Sequence, residues 1–241
     1  LAIAAFYLKE PQRIEDQVDS SHIVDRKNVF LHLKEHKKTL IPMFGGLIFM
    51  ALIFYSFSFW APTMMIRTFN ISLTEVGFIL GIITIISSIT GTIIAGSAVD
   101  YLRNRNYTDA PVRTAMIAVI LALPPIISLS FTQSELGAWI CIALYLLFIS
   151  SFAPLGLLAI SGVSTGNVKG QTAAIHAFLM MAFGLSLGPQ LTAFFTDFVF
   201  VDPNLLINSV SLTGLIVLPI SALLFKLSLS RYKESSEILS I

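Results

Sequence analysis

The chain has 241 residues, of which 55% are hydrophobic and only 12% charged, with a formal net charge of +1 and a mean hydropathy of +0.82. A soluble domain carries about a quarter charged residues, so the charge deficit excludes an ordinary soluble fold and indicates a polytopic helical membrane protein. The near-neutral balance points to no nucleic-acid partner, and a single cysteine, Cys141, excludes an intrachain disulfide and leaves no metal-ligand spacing and no implied cofactor.

The sequence opens in an apolar run, Leu1–Leu8, followed by Lys9-Glu10-Pro11. Eight residues are too few to cross a bilayer, and neither a basic start nor a small-residue cleavage site marks a signal peptide. The run reads as the end of a preceding transmembrane helix, and the chain is expected to be a fragment. Residues 9–39 read as a loop of mixed charge. A short amphipathic helix from about Asp25 to His36, with Val29, Phe30 and Leu33 on its apolar side, is one reading; a solvated linker is the other.

A six-helix domain, 40–230, follows. The first span, about Leu40–Ile66, ends in Phe59-Trp60-Ala61-Pro62, with the tryptophan placed as an interfacial anchor. Ser72-Leu73-Thr74-Glu75 reads as a capping box opening the second span, about Val76–Ala98, where Gly77, Gly81, Gly91 and Gly96 offer small faces. Asp109-Ala110-Pro111 signals the third, about Thr114–Phe131, which Pro124-Pro125 should bend. Thr132-x-x-Glu135 suggests a second capping box before the fourth, about Gly137–Ser161. The fifth covers about Thr172–Thr196 and the sixth about Leu205–Leu229, leaving 231–241 as a polar tail. All fifteen lysines and arginines except Arg67 fall on one side of these spans. The positive-inside rule makes that side cytoplasmic, together with both chain ends.

The most informative stretch closes the second span: Gly96-x-x-x-Asp100-x-x-Arg103-x-Arg105. A carboxylate at the C-terminal end of its own helix opposes the macrodipole, a cost Arg103 one turn on can partly offset. Asp100 either ends a hydrophobic helix at the membrane surface or faces another helix across an interface that opens and closes. A second motif, Gly184-x-x-x-Gly188-Pro189, permits close helix approach and removes a backbone hydrogen bond. Gly184-Leu185-Ser186-Leu187-Gly188 also matches the nucleophile pattern of serine hydrolases, but the strand-turn-helix context is missing. His176 would stand roughly 15 Å from Ser186 along one helix, so an enzyme is not expected.

The Gly96–Arg105 pattern between two spans resembles the loop signature of the major facilitator superfamily, found between the second and third helices of each six-helix half. The glycine-proline motif is similar to one in the fifth helix of many facilitator antiporters; ordinary small-residue packing is the alternative reading. The resemblance covers the whole chain. It implies an all-α fold in which the six spans form the C-terminal half, helices seven to twelve, and in which an N-terminal half is missing. Phe59-Trp60-Ala61-Pro62 followed by Arg67, the Asn104–Pro111 loop and the Gln171–Asp197 helix resemble the spinster-like branch.

The resemblance further implies a secondary transporter that moves a small organic or amphipathic solute by alternating access, coupled to protons. Such a protein would sit in membrane lipid, in a bacterial inner membrane. An organic-anion symporter and a transport-inactive scaffold or receptor are the alternatives. Gly96, Asp100, Arg103 and Arg105 would form a cytoplasmic latch against the missing half, the second and fifth helices would form the interface between halves, and the first and fourth would line the cavity. Tyr55, Trp60, Tyr145 and Gln190 are candidates to supply hydrogen bonds there, or to satisfy themselves against neighbouring helices. His176, expected about one turn inside the fifth span, is a candidate for substrate or proton binding, unless that shallow position lets it reach interfacial water or a backbone carbonyl.

Overall fold

The computed structural model describes residues 26–164 and 166–238, and every regular element among them is helical. Leu1–Leu8, most of the 9–39 loop and the side chain of Phe30 lie outside the described residues. Helix α1 runs Arg26–Glu35, α2 Lys37–Phe69, α3 Leu73–Asn104 and α4 Ala110–Ser128, the last closed by a 3₁₀ turn at Leu129–Phe131. Helices α5 (Glu135–Ile149) and α6 (Phe152–Val163) together make the fourth span. Helix α7 (Gly166–Leu179), a π-helical segment (Met180–Leu185) and α8 (Ser186–Phe194) make most of the fifth. A 3₁₀ turn at Pro203–Leu205 leads into α9, Leu206–Ile238. Among the described residues, six stretches are long and apolar enough to cross a membrane.

Local chemistry sets most of these boundaries. Ser72 caps α3 by accepting from the Glu75 backbone N–H at 3.3 Å, as its spacing predicts. The expected Thr132 box is not what starts the fourth span. Ser134 caps it, accepting from Gly137 N–H at 3.2 Å, while the Thr132 hydroxyl turns back to donate to the Ser128 carbonyl at 2.9 Å. Asn70 ends α2 in the left-handed conformation (φ 54°), which asparagine tolerates better than most residues. The fourth span breaks at Ser150–Ser151 because Pro154 lacks an N–H and its ring would collide with the carbonyl of residue 150 in a continuous helix.

The packing repeats itself across the chain. The first span lies against the fifth and sixth, and the fourth lies against the second and third, with the third and sixth in contact between them. Three spans per repeat is an odd number, so the two units run through the membrane in opposite directions. Each repeat has one close approach built on glycine. A Cβ on Gly91 would fall on the carbonyl oxygen of Leu147, and a Cβ on Gly188 would fall on that of Leu52. The second span thus sits against the fourth as the fifth sits against the first.

The interface of the first span with the fifth and sixth is closed by polar atoms. Gly184, Gly188 and Thr192 lie four residues apart on one face of the fifth span, and the approach that the glycines permit brings Thr192 Oγ1 to 2.6 Å from Ser56 Oγ. Thr192 Oγ1 is also 2.7 Å from Thr213 Oγ1, and Thr213 donates to the Ser209 carbonyl at 2.8 Å. A hydroxyl has one proton, so Ser56 donates to Thr192 and Thr192 to Thr213. Ser221 and Ser228 of α9 donate to the carbonyls of Gly46 and Thr39. Helix α9 continues to Ile238, into the stretch expected to be tail, and Tyr232 there is fully buried with its hydroxyl donating to the Ala159 carbonyl at 2.7 Å.

The second and fifth spans are the least covered: 17% and 22% of their most apolar stretches are buried, against 61% in the first. Their outward faces carry Phe78, Ile85, Ile89, Phe178, Phe183 and Phe194. Gly91 and Gly184 are turned away from those faces, inward onto the fourth and first spans, and Gly77, Gly81 and Gly96 have open space where a Cβ would stand. Substituting leucine at Gly91 or Gly188 is expected to lower stability by about 1–3 kcal/mol through overpacking against backbone. The thermal midpoint of the detergent-solubilised protein reads this directly.

Candidate functional site

A groove of about 220 Å³ lies between the first, fourth and fifth spans, lined by Tyr55, Phe152, Ala153, Leu157, Ala173, His176, Ala177, Met180 and Met181. Both spans that bound it with α2 are irregular at this level: α6 begins at Phe152, immediately after the break, and the π-helical segment begins at Met180. Irregular backbone at membrane depth is tolerated where it lines a cavity rather than lipid. Phe152 packs its ring on Phe54 and Tyr55, at centroid distances of 4.9 and 6.0 Å.

His176 lies further from the start of its helix than expected. The fifth span starts at Val168, which places His176 two turns in, roughly 12 Å along the axis. It is 3% exposed, its ring rests 5.1 Å from that of Phe44, and Nε2 has no hydrogen-bond partner among the described residues. No backbone carbonyl among the described residues meets Nε2. Gly156 makes room for the ring: a Cβ there would come within 2.8 Å of Cε1. An unpaired imidazole nitrogen in an apolar groove is costly unless a ligand completes it.

Of the five candidate cavity residues, only Tyr55 and His176 come together in this groove. Tyr145 is fully buried between the first and fourth spans, 4.7 Å from the ring of Phe57, with its hydroxyl unpartnered among the described residues. Trp60 donates its indole N–H to the Pro189 carbonyl at 2.8 Å, so its polar atom is held by the neighbouring helix. Gln190 is exposed on α8. Sequence reasoning missed Phe152, Leu157, Met180 and Met181, whose apolar character is that of every span. It also passed over the Ser56–Thr192–Thr213 chain, although three hydroxyls in apolar spans are a visible signal.

The loop signature sits differently from its expected layout. Helix α3 runs on to Asn104, so Asp100 lies a turn inside it and not at its end. Asp100, Arg103 and Arg105 are all exposed, and Arg103 does not pair with Asp100. The salt bridge of this loop is instead Asp109–Arg113, at 2.8 Å and spaced i,i+4, with Asp109 nearly buried. Arg105 stacks over the Tyr101 ring at 4.6 Å. Gly96 stands on the same uncovered helix with open space beside it.

The sequence matches the Major Facilitator Superfamily over residues 1–189. The chain belongs to that superfamily. No curated protein matches it. Among solved structures, its fold is similar to that of a bacterial homolog of the human lysosomal transporter Spinster, in two states. The inward-facing, occupied structure aligns with a TM-score of 0.59 at 13% identity, covering 83% of this chain and 49% of the other. The inward-facing, unoccupied structure aligns with a TM-score of 0.61 at 13% identity, covering 98% and 56%. The chain therefore spans about half the length of the solved structures that it matches, and it is an integral membrane protein with the helical layout of a facilitator half.

One further contact belongs to this facilitator half. Helix α1, close to the expected amphipathic segment, packs on protein: Val29 is buried, Leu33 joins the core, and the helix meets α7 and α2. His32 Nε2 lies 3.0 Å from Ser164 Oγ, at the end of the fourth span. Burial, and then the adjacent His36, hold the His32 imidazole below its ordinary pKa of 6.5, with Glu35 opposing them. An undocked α1 takes up a proton first as pH falls below 6.5, so docking is firm above that value and weakens beneath it. Amide exchange in α1, corrected for intrinsic rates, is expected to rise between about pH 7.5 and pH 5.5. The replacement His32→Gln should flatten that rise; an unchanged pH response in the variant would assign it to another group.

Proposed function

We propose that this chain is the C-terminal half of a secondary transporter of the spinster-like branch, moving an amphipathic organic solute by alternating access with proton coupling. The observation that carries the reading is the groove between the first, fourth and fifth spans. Its walls are aromatic and thioether groups, which suit an apolar body, and its polar atoms are those of Tyr55 and His176. No arginine lines it, which disfavours an organic-anion substrate held by this half. The uncovered faces of the second and fifth spans supply the surface on which an N-terminal half would rock. On this reading the basic side is cytoplasmic, and the membrane is a bacterial inner membrane.

His176 is the proposed proton or substrate ligand, since its Nε2 is buried and unpaired. Asp100, exposed and without a salt bridge among the described residues, is proposed to meet the missing half in the outward-open state, with Arg103 and Arg105 completing the latch. Contacts made in one state only are what bias an equilibrium between states. The Gly184–Pro189 stretch, whose glycines face the first span, is proposed as the pivot of the fifth.

Two measurements test this. Full-length protein in liposomes should accumulate or release solute faster under an imposed pH gradient, and His176→Phe should reduce gradient-driven transport about tenfold or more. Transport indifferent to the gradient in the wild type would remove proton coupling, and no transport by folded wild-type protein would favour a scaffold or receptor. Asp100→Asn should shift the population toward inward-open, read as raised cysteine accessibility on the cytoplasmic face and lowered accessibility on the other. Unchanged accessibility on both faces would reject the latch.

A further inference from the structure

A second hollow, a shallow open slot of about 80 Å³, lies between α3, α4 and the fourth span, away from the proposed transport groove. Ile94 and Ala98 form one wall and Ile117 and Leu121 the other, while Gly91 and Ala118 keep the floor low. Ile94, Ile117 and Leu121 keep 50%, 44% and 45% of their surface exposed, so the hollow opens sideways, toward hydrocarbon. Two hydroxyls break the apolar pattern, and that of Ser151 is spent on the Phe148 carbonyl at 3.3 Å. Thr114 lines the hollow, is 5% exposed, and its hydroxyl has no partner among the described residues. A buried hydroxyl left unpaired is a standing cost that an acceptor from outside would remove.

The hollow ends beneath the charged loop. Thr114 follows Arg113 directly, and Ala98 is roughly 10 Å of helix below Arg105. Arg113 is committed to Asp109 and stacks over Tyr107 at 4.7 Å. Arg103 and Arg105 are exposed and make no salt bridge among the described residues, and Asp100 is the one opposing carboxylate left in the loop. The rim therefore keeps an excess positive charge. Tyr101 and Tyr107, exposed beside it, have the amphipathic character of headgroup-level aromatics.

We propose that this hollow binds an anionic phospholipid of the leaflet that faces the basic loops. Its headgroup sits at Arg103 and Arg105, an acyl chain lies along the slot between Ile94 and Leu121, and a glycerol ester carbonyl accepts from Thr114. Charge, shape and the unpaired donor each select a different part of the same molecule. The placement in that leaflet rests on the proposed orientation; the site itself does not depend on transport.

The test uses full-length protein in mixed micelles of phosphatidylcholine or phosphatidylglycerol, with retained lipid counted by native mass spectrometry. Wild type should retain phosphatidylglycerol roughly tenfold over phosphatidylcholine, as two surface arginines would give. The pair Arg103→Gln and Arg105→Gln should abolish that preference. Ala98→Phe, at a partly exposed wall position, should lower retention of both lipids at an unchanged thermal midpoint. Thr114→Val, which keeps the shape and loses the donor, should weaken phosphatidylglycerol retention severalfold, and it serves alone if the larger side chain unfolds the protein. Equal retention of the two lipids by wild type overturns the headgroup assignment. Retention unchanged by both Ala98→Phe and Thr114→Val overturns the site, as a segment of the N-terminal half filling the slot would. Lipid retention is read without transport, so neither result depends on the transport proposal.

Discussion

The close approach of the first span to the fifth and sixth is the constraint on which the rest of this half depends. In hydrocarbon, apolar side chains gain little by meeting each other, because lipid tails are as apolar as leucine. Helices hold together where backbones come near and where polar atoms find each other. Gly184 and Gly188 let the fifth span reach the backbone of Ala51 and Leu52, and that nearness places Thr192 against Ser56. Gly46 admits the ring of Phe225, and Ser221 of the same helix donates to the Gly46 carbonyl. Leucine at Gly188 would therefore disturb more than its own contact, since the Ser56–Thr192–Thr213 chain forms only at that separation.

The groove exists because this fixed core stands beside two interrupted spans. The first span is mostly buried and continuous from Lys37 to Phe69, so it serves as the reference against which the others are placed. Pro154 breaks the fourth span and the π-helical segment relaxes the fifth, and both irregularities fall beside Tyr55 and His176. On the proposed reading, the same feature gives the site its opening and its freedom to move. Rigid packing on one side and loosened backbone on the other is what a rocking binding site requires.

The charged loop after the second span serves two surfaces on the proposed reading. Asp109 and Arg113 neutralise each other and fasten the start of α4. That leaves Asp100 available to an N-terminal half and Arg103 and Arg105 available to lipid. A phospholipid held at those arginines would compete with, or reinforce, the latch that Asp100 is proposed to make, so lipid composition and conformational preference would be linked through one loop.

The residues alone determined the class of this protein. Apolar runs too long for a soluble core gave the number of spans, segregated lysines and arginines gave the orientation proposed for them, and Gly96, Asp100, Arg103 and Arg105 pointed to the superfamily. These are properties of composition and order, and they survive without knowing which helix touches which. Rotation about each helix axis is a different matter, because a span that is apolar all round shows no amphipathic face to read. Only the tertiary structure turned Gly91 and Gly184 inward rather than outward, sent Trp60 to the Pro189 carbonyl, left Tyr145 outside the groove, and moved the loop's ion pair from Asp100–Arg103 to Asp109–Arg113. It also set His176 two turns from the start of its span with Nε2 unpartnered among the described residues. The helix carrying His176 starts at Gly166 and not near Thr172, because Lys169 near the helix start disguises six helical residues as loop.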